Sequence, residues 1–198
     1  MSERLQIAVL AAGQSTRFGT NKLDAIVAGK PLGSFALDNA LAVGASNLVI
    51  VVAEPVPEFA SSASDTGRAK LIINPNAHEG LSTSVSLAAQ DAIATDADAL
   101  LLLLADMPLV TTETLRQLAV SVAPERPAAV RHIDGNAGIP ACFPRDQFAA
   151  LTALRGDRGA GILLHQAQNL TLIAAGAREL RDIDTPNDLE IVGTLLRS

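Results

Sequence analysis

Aromatic side chains are scarce in this chain: five Phe, no Tyr and no Trp among 198 residues. Stacking platforms for single-stranded nucleic acid are therefore poorly supplied. Cysteine occurs once, as Cys142, which excludes a disulfide framework and a zinc site built on cysteines. Positive charge is also in short supply. Fifteen Lys and Arg stand against 21 Asp and Glu, a net charge of −6, so neither a nucleic acid nor an anionic membrane is the expected main partner. The longest leucine run, Leu100–Leu104, falls far below the roughly 18 residues that a bilayer requires. Ile7–Gly13 is short for the apolar segment of a signal peptide, and Glu3 spoils a basic head. The chain reads as cytoplasmic.

What is present is a core. Hydrophobic residues make up 48% and charged residues 18%, the reverse of a disordered chain. A domain of this size buries about 70% of its unfolded surface. Leu5–Ala11, Asn47–Ala53, Leu71–Asn74 and Ala99–Ala105 are short, β-branched or leucine-rich runs that predict strands buried on both faces. Pro31–Val43, Ser82–Ile93 and Thr111–Val120 alternate with them at helical spacing. That alternation predicts one three-layer α/β domain around a parallel sheet. The pattern continues with strands at Ala128–His132, Gly138–Phe143 and Leu170–Ala174, and with helices starting at Arg145, Gly159 and Thr185. Glu54–Gly67, with two prolines and a Ser/Ala-rich stretch, is the expected irregular excursion. Cys142 reads as a small buried hydrophobe on a strand. His78, His132 and His165 have no ligand spacing and read as surface or partly buried histidines.

In open parallel sheets, ligands bind beyond the carboxyl ends of the strands, so the residues after each apolar run carry the chemistry. After the first run comes Leu10-Ala11-Ala12-Gly13-Gln14-Ser15-Thr16-Arg17-Phe18-Gly19, with Lys22 shortly beyond. Small residues let backbone N–H groups approach an anion, and Arg17 and Lys22 add positive charge in an acidic protein. This is neither a Walker A loop nor the GxGxxG fingerprint; the alternative is a tight turn with two solvated basic side chains. Both are expected to lie outside the core. Asp106 follows seven apolar residues, where a hard oxygen ligand can hold Mg²⁺ against a triphosphate; otherwise it caps a turn before Pro108. Asp182 and Asp184 alternate onto one strand face and either suits the same metal, with Asp184 preferred. Thr185, Pro186 and Asp188 equally match a helix start. Gly80 and Ser82–Ser84 open a helix, with a Ser expected at least in part as its cap.

These motifs resemble the MobA-like nucleotidyltransferases, especially their molybdenum cofactor cytidylyltransferase branch. Leu10-Ala11-Ala12-Gly-x-Ser-x-Arg-x-Gly-x-x-Lys matches the family signature. Asn74-Pro75 with Gly80–Ser84 is similar to the segment that meets base and ribose, and Leu104-Ala105-Asp106-Met107-Pro108 to the metal segment. Gly138-Ile139-Pro140 with Phe143, Leu154–Gly159 and Asp182–Pro186 resemble the acceptor half and the closing strand and helix. Two positions depart: Ile139 stands where the pattern often has His or Asn, and Phe18 where Met is commoner.

The resemblance implies a mostly parallel, Rossmann-like sheet of the nucleotide-diphospho-sugar transferase type. It also implies a nucleotide-binding half over 1–110 and an acceptor half over 111–198. The implied activity moves CMP from CTP to molybdopterin-bound molybdenum, with Mg²⁺ as cofactor and an apo-molybdenum hydroxylase receiving the product. Leu10, Ala11, Ala12, Gly13, Arg17, Lys22, Asn74, Gly80, Ser82, Ser84 and Asp106 would bind nucleotide. Arg17, Lys22 and Asp106 would serve catalysis, Asp106 and Asp184 the metal. Gly138, Pro140, Arg155, Asp157 and Arg158 would grip the acceptor. Two rival classes stand beside this: a nicotinamide-dependent oxidoreductase of the nicotine-blue reductase type, and a non-catalytic carrier of finished cofactor.

Overall fold

The computed structural model describes residues 4–13, 21–156, 159–176 and 178–197. In chain order the elements are β1 (Leu5–Ala11), β2 (Ile26–Val27), β3 (Lys30–Pro31), α1 (Leu32–Val43), β4 (Asn47–Val52), α2 (Glu58–Asp65), β5 (Lys70–Ile73) and α3 (Leu81–Ala94). They continue as β6 (Ala99–Leu104), α4 (Thr112–Ser121), β7 (Ala128–Arg131), β8 (Ala137–Pro144), α5 (Phe148–Thr152), α6 (Gly161–Gln166), β9 (Thr171–Ala174) and α7 (Pro186–Leu195). Seven strands form one sheet in the order β5-β4-β1-β6-β8-β7-β9. All neighbours pair in parallel except β8, which runs against β6 and β7. The sheet is thus mostly parallel, as the alternating pattern predicts.

The central strands read as continuous apolar runs because both their faces are covered. Every residue of β1 is buried. Ile7 and Val9 point into one core with residues of α1, α2 and α4, while Ala8 and Leu10 point into the other with α3, α5 and α6. Gln6 is the polar exception, fully buried but satisfied. Its amide donates to the Asp91 carboxylate at 3.2 Å, and its carbonyl accepts from the Thr95 hydroxyl at 2.7 Å. Cys142 is fully buried in β8, as expected of a small hydrophobe.

The 54–67 stretch is not an irregular excursion. It contains α2, which buries Phe59, Ala60 and Ala63. Pro55 and Pro57 precede the helix rather than interrupt it, and no local side chain caps it. The cap comes from a distant segment: the Asp24 carboxylate accepts from the backbone N–H of Glu58 at 3.0 Å and of Phe59 at 3.1 Å. Local sequence reading misses such a cap. Asp24→Ala should lower stability by about 1 kcal/mol, a loss of roughly 2–4 °C in Tm for a chain of this size. An unchanged Tm in calorimetry would contradict the capping role.

Two further elements differ from expectation. The helix starting at Arg145 is a short 3-10 turn (Arg145–Gln147) leading into α5, and the next begins at Gly161. The antiparallel pair β2–β3 is only two residues per strand, too short for a periodic signal.

Candidate active site

At the carboxyl edge of the central strands lies a cavity of about 380 Å³, lined by Leu10, Ala11, Ala12 and Gly13 on one side and by Gly80, Leu81 and Ser84 on another. Lys22 and Asp106 complete its polar floor, and Ala77 and His78 also reach it. Eight of the eleven nucleotide-site residues proposed from sequence therefore share one cavity. Arg17 lies outside the described residues.

Each wall has a local cause. Ala105 extends the β6 ladder by donating to Leu10 O at 3.0 Å, so Asp106 leaves the sheet beside the end of β1. Gly13 lines the cavity, and a Cβ built on it would meet no described protein atom within 4 Å. Helix α3 begins at Gly80, whose φ of +111° strongly favours glycine. No side chain caps α3, which corrects the expected serine cap. Ser82 and Ser84 lie inside the first turn and point inward: Ser82 is fully buried and its hydroxyl has no hydrogen-bond partner among the described residues. Asn74 does not line the cavity. It is 2% exposed, and its amide donates to Thr83 Oγ1 at 2.9 Å and Ser84 Oγ at 2.8 Å. It fixes the hydroxyl segment from behind.

Lys22 is the main surprise. Expected to lie outside the core, it is instead buried, its side chain only 11% exposed, which also rules out the alternative of a solvated side chain. The turn that carries it is pinned by Leu23 in the core and by Asn21, whose side-chain oxygen accepts from Leu23 N at 3.1 Å. The Lys22 ammonium lies 2.7 Å from Asp106 Oδ2, 2.8 Å from Ile183 O and 3.5 Å from Asp184 Oδ1. Burial has a simple reason: the charge is compensated on two sides by carboxylates.

The strand expected at 182–184 does not form: the segment is irregular and meets the end of β6 through one bond, Ile183 N donating to Asp106 O at 3.1 Å. The helix-start reading of this segment holds. Thr185 caps α7 and forms a reciprocal box with Asp188, while the Asp184 carboxylate faces Lys22. Asp182 holds its proton more readily than an ordinary aspartate, chiefly through burial and then through the negative charges of Asp184 and Asp106. Among the described residues no preformed cluster of three or more His, Cys, Asp or Glu stands ready for a metal.

The acceptor-side residues scatter. Pairing of β8 against β6 from Ala99↔Pro144 to Leu102↔Ala141 carries Pro140 and Gly138 toward the edge from which Asp106 emerges. Pro140 is buried. Arg155 is exposed and folds back, its guanidinium donating to Thr152 O at 3.2 Å and Leu154 O at 2.7 Å. Asp157 and Arg158 lie outside the described residues. His78, read from sequence as an ordinary surface histidine, borders the cavity; its place two residues before Gly80 was the available signal.

The sequence from residue 7 to 171 matches the MobA-like NTP transferase domain. The chain belongs to that family. Over 92% of its length it is 33% identical to the purine catabolism protein PucB of Bacillus subtilis, of which the match covers 93%. It is also 35% identical to a phosphoenolpyruvate guanylyltransferase of Sphaerobacter thermophilus, over 71% of this chain and 67% of that one. Among solved structures, Rv0371c of Mycobacterium tuberculosis superposes with a TM-score of 0.75 at 26% identity, covering 98% of this chain and 99% of the other. This MobA-like chain is a nucleotidyltransferase with the nucleotide-diphospho-sugar transferase fold, and the oxidoreductase and carrier readings give way. Among the described residues no helix is long and apolar enough to cross a membrane.

Proposed function

We propose that the protein transfers CMP from CTP to the phosphate of molybdopterin carrying bound molybdenum, releasing pyrophosphate, for the maturation of molybdenum hydroxylases in the cytoplasm. One observation carries the chemistry: the Lys22 ammonium and the Asp106 carboxylate form the polar floor of the small-residue cavity, with the Asp184 carboxylate 3.5 Å from the same ammonium. An acceptor phosphate oxygen attacks the α-phosphorus in line, and the bond to pyrophosphate breaks as the new P–O bond forms. The acceptor phosphate is already ionised at neutral pH, so catalysis is positioning and charge neutralisation. The 10–13 backbone and the uncapped start of α3 face the anionic triphosphate, and Lys22, with Arg17, balances charge on the leaving group. Gly80 and Ser84 meet the nucleoside, with Asn74 holding their segment in place.

A divalent metal suits the donor set. Asp106 and Asp184 offer hard oxygens already gathered around one positive charge, the Lys22 ammonium. Mg²⁺ commonly takes one or two carboxylates and completes its shell with phosphate oxygens and water. These two residues would hold it, and when bound it would neutralise the triphosphate. The acceptor is assigned to the half over 111–198, with Gly138, Pro140, Arg155, Asp157 and Arg158 on its side, and the nucleotide to 1–110. The Lys22–Asp184 pair ties the two halves together.

The guanylyltransferase relative makes GTP the competing nucleotide. Ala12 lines the cavity, and its methyl group takes space that a purine would need. One such group is worth roughly 1–3 kcal/mol, a 10- to 200-fold preference. Ala12→Gly should therefore raise kcat/KM for GTP while leaving that for CTP nearly unchanged. A wild type that prefers GTP would overturn the cytidylyl assignment; an unchanged ratio in the variant would overturn only the role of the methyl group.

A further inference from the structure

A second cavity, of about 450 Å³, opens on the same edge of the sheet, between the carboxyl ends of β7 and β9. Its polar lining is His132, Asp182 and the exposed side chains of Arg131 and Arg181; Ala174, Ala175 and Leu180 supply apolar surface, and Ile133 stands at the rim, 93% exposed. The space exists because Arg131 has small neighbours: it pairs with Ala137 on β8 and Ala174 on β9. Among the described residues neither guanidinium makes a salt bridge or a side-chain hydrogen bond; Arg181 acts on Asp188 only through space. In a chain with six more acids than bases, two uncommitted arginines in one cavity are a site for an anion.

His132 is built in. Its Nε2 lies 3.0 Å from Ile139 O, and a carbonyl only accepts, so Nε2 carries the proton and Nδ1 is left for another partner. The ring lies against the Gly138 backbone, where a Cβ would come within 2.6 Å of it. That contact gives Gly138 a reason to be glycine. The cavity lies on the same edge of the sheet as the nucleotide site, two residues along the chain from Asp184 through Asp182. Asp182 lines it and feels the charges of Asp106 and Asp184.

We infer that this cavity is the oxyanion-binding subsite of the acceptor, with Arg131 and Arg181 holding the anionic group and the apolar surface taking a flat, weakly polar body. This rests on the proposed function for the identity of the acceptor, but not for the existence of the anion site. Molybdopterin carries such an oxyanion as its phosphate, and the molybdenum-loaded form carries a second in its oxo group.

The test uses the full-length chain with Arg131→Gln, Arg181→Gln and the double variant. Inorganic phosphate and molybdate are each titrated while the His132 imidazole resonances are followed by NMR. In parallel, KM is measured for CTP and for molybdopterin with and without molybdenum. Millimolar phosphate or molybdate should shift the His132 resonances in the wild type and not in the double variant. Each single variant should raise the acceptor KM by roughly tenfold or more, the worth of one charged hydrogen bond, with the CTP KM within about twofold. An equal effect on the metal-free acceptor places its phosphate in the subsite; an effect confined to the loaded form places the oxo group there. Absence of any His132 shift in the wild type, or a shift that survives in the double variant, overturns the inference. Failure of the wild type to turn over molybdopterin defeats the proposed function instead, and the anion titration still decides the subsite.

Discussion

Asp106→Asn should abolish Mg²⁺-dependent CTP binding and turnover while the protein stays folded. The substitution preserves volume and keeps an oxygen that can accept from Lys22, which also retains Ile183 O and Asp184. What it removes is one of the two carboxylates gathered around the Lys22 ammonium, the one that lines the cavity. Loss of a preorganised charge at the reacting phosphates typically costs 10² to 10³ in rate, and loss of a metal ligand more. Turnover should fall by at least about 10³, and titration of CTP with increasing Mg²⁺ should lose its metal dependence. Without nucleotide, Tm should drop only slightly, because one charged hydrogen bond is weakened rather than deleted. An unchanged Mg²⁺ dependence would refute the metal role of Asp106.

Lys22→Ala should have a double effect. Catalysis should fall by about 10² to 10³ through loss of the charge that balances the leaving pyrophosphate. Stability should fall as well, because the ammonium ties the turn at 22 to Asp106, just past the end of β6, and to the irregular segment at 183–184. Removing it leaves Asp106 and Asp184 facing each other with no cation between. A fully buried pair would lose 3–5 kcal/mol; with Asp184 59% exposed to solvent, about 1–3 kcal/mol is expected. Chemical denaturation checks the second effect and single-turnover kinetics the first. Lys22→Arg should recover part of the stability. A variant that turns over normally would contradict the assignment.

Much of the sheet was legible because its strands are buried on both faces and contain little but Val, Ile, Leu and Ala. β1 spans the predicted Leu5–Ala11, and β4, β6 and α1 lie within a residue of prediction at each end. The errors came where a distant partner decides the local structure. Helix α2 has weak local signals and takes its cap from Asp24, more than thirty residues earlier. The burial of Lys22 likewise depends on Asp184, on the far side of the sequence. Residues that follow apolar strands in the first half of the chain include Gly13 and Asp106, which share one cavity. Arg131 and His132 fell inside the strand expected at Ala128–His132 and no motif marked them; only the three-dimensional cavity sets them beside Arg181.

The most direct measurement is the fate of the α-phosphorus of CTP. The wild-type protein, Mg²⁺ and molybdenum-loaded molybdopterin are incubated in turn with each of the four nucleoside triphosphates, labelled at the α-phosphorus, and pyrophosphate is quantified alongside the label in the pterin fraction. The account predicts that CTP gives the fastest release, with one label entering the pterin product for each pyrophosphate formed. Pyrophosphate release without label in the pterin, or labelling from GTP in preference to CTP, would contradict it.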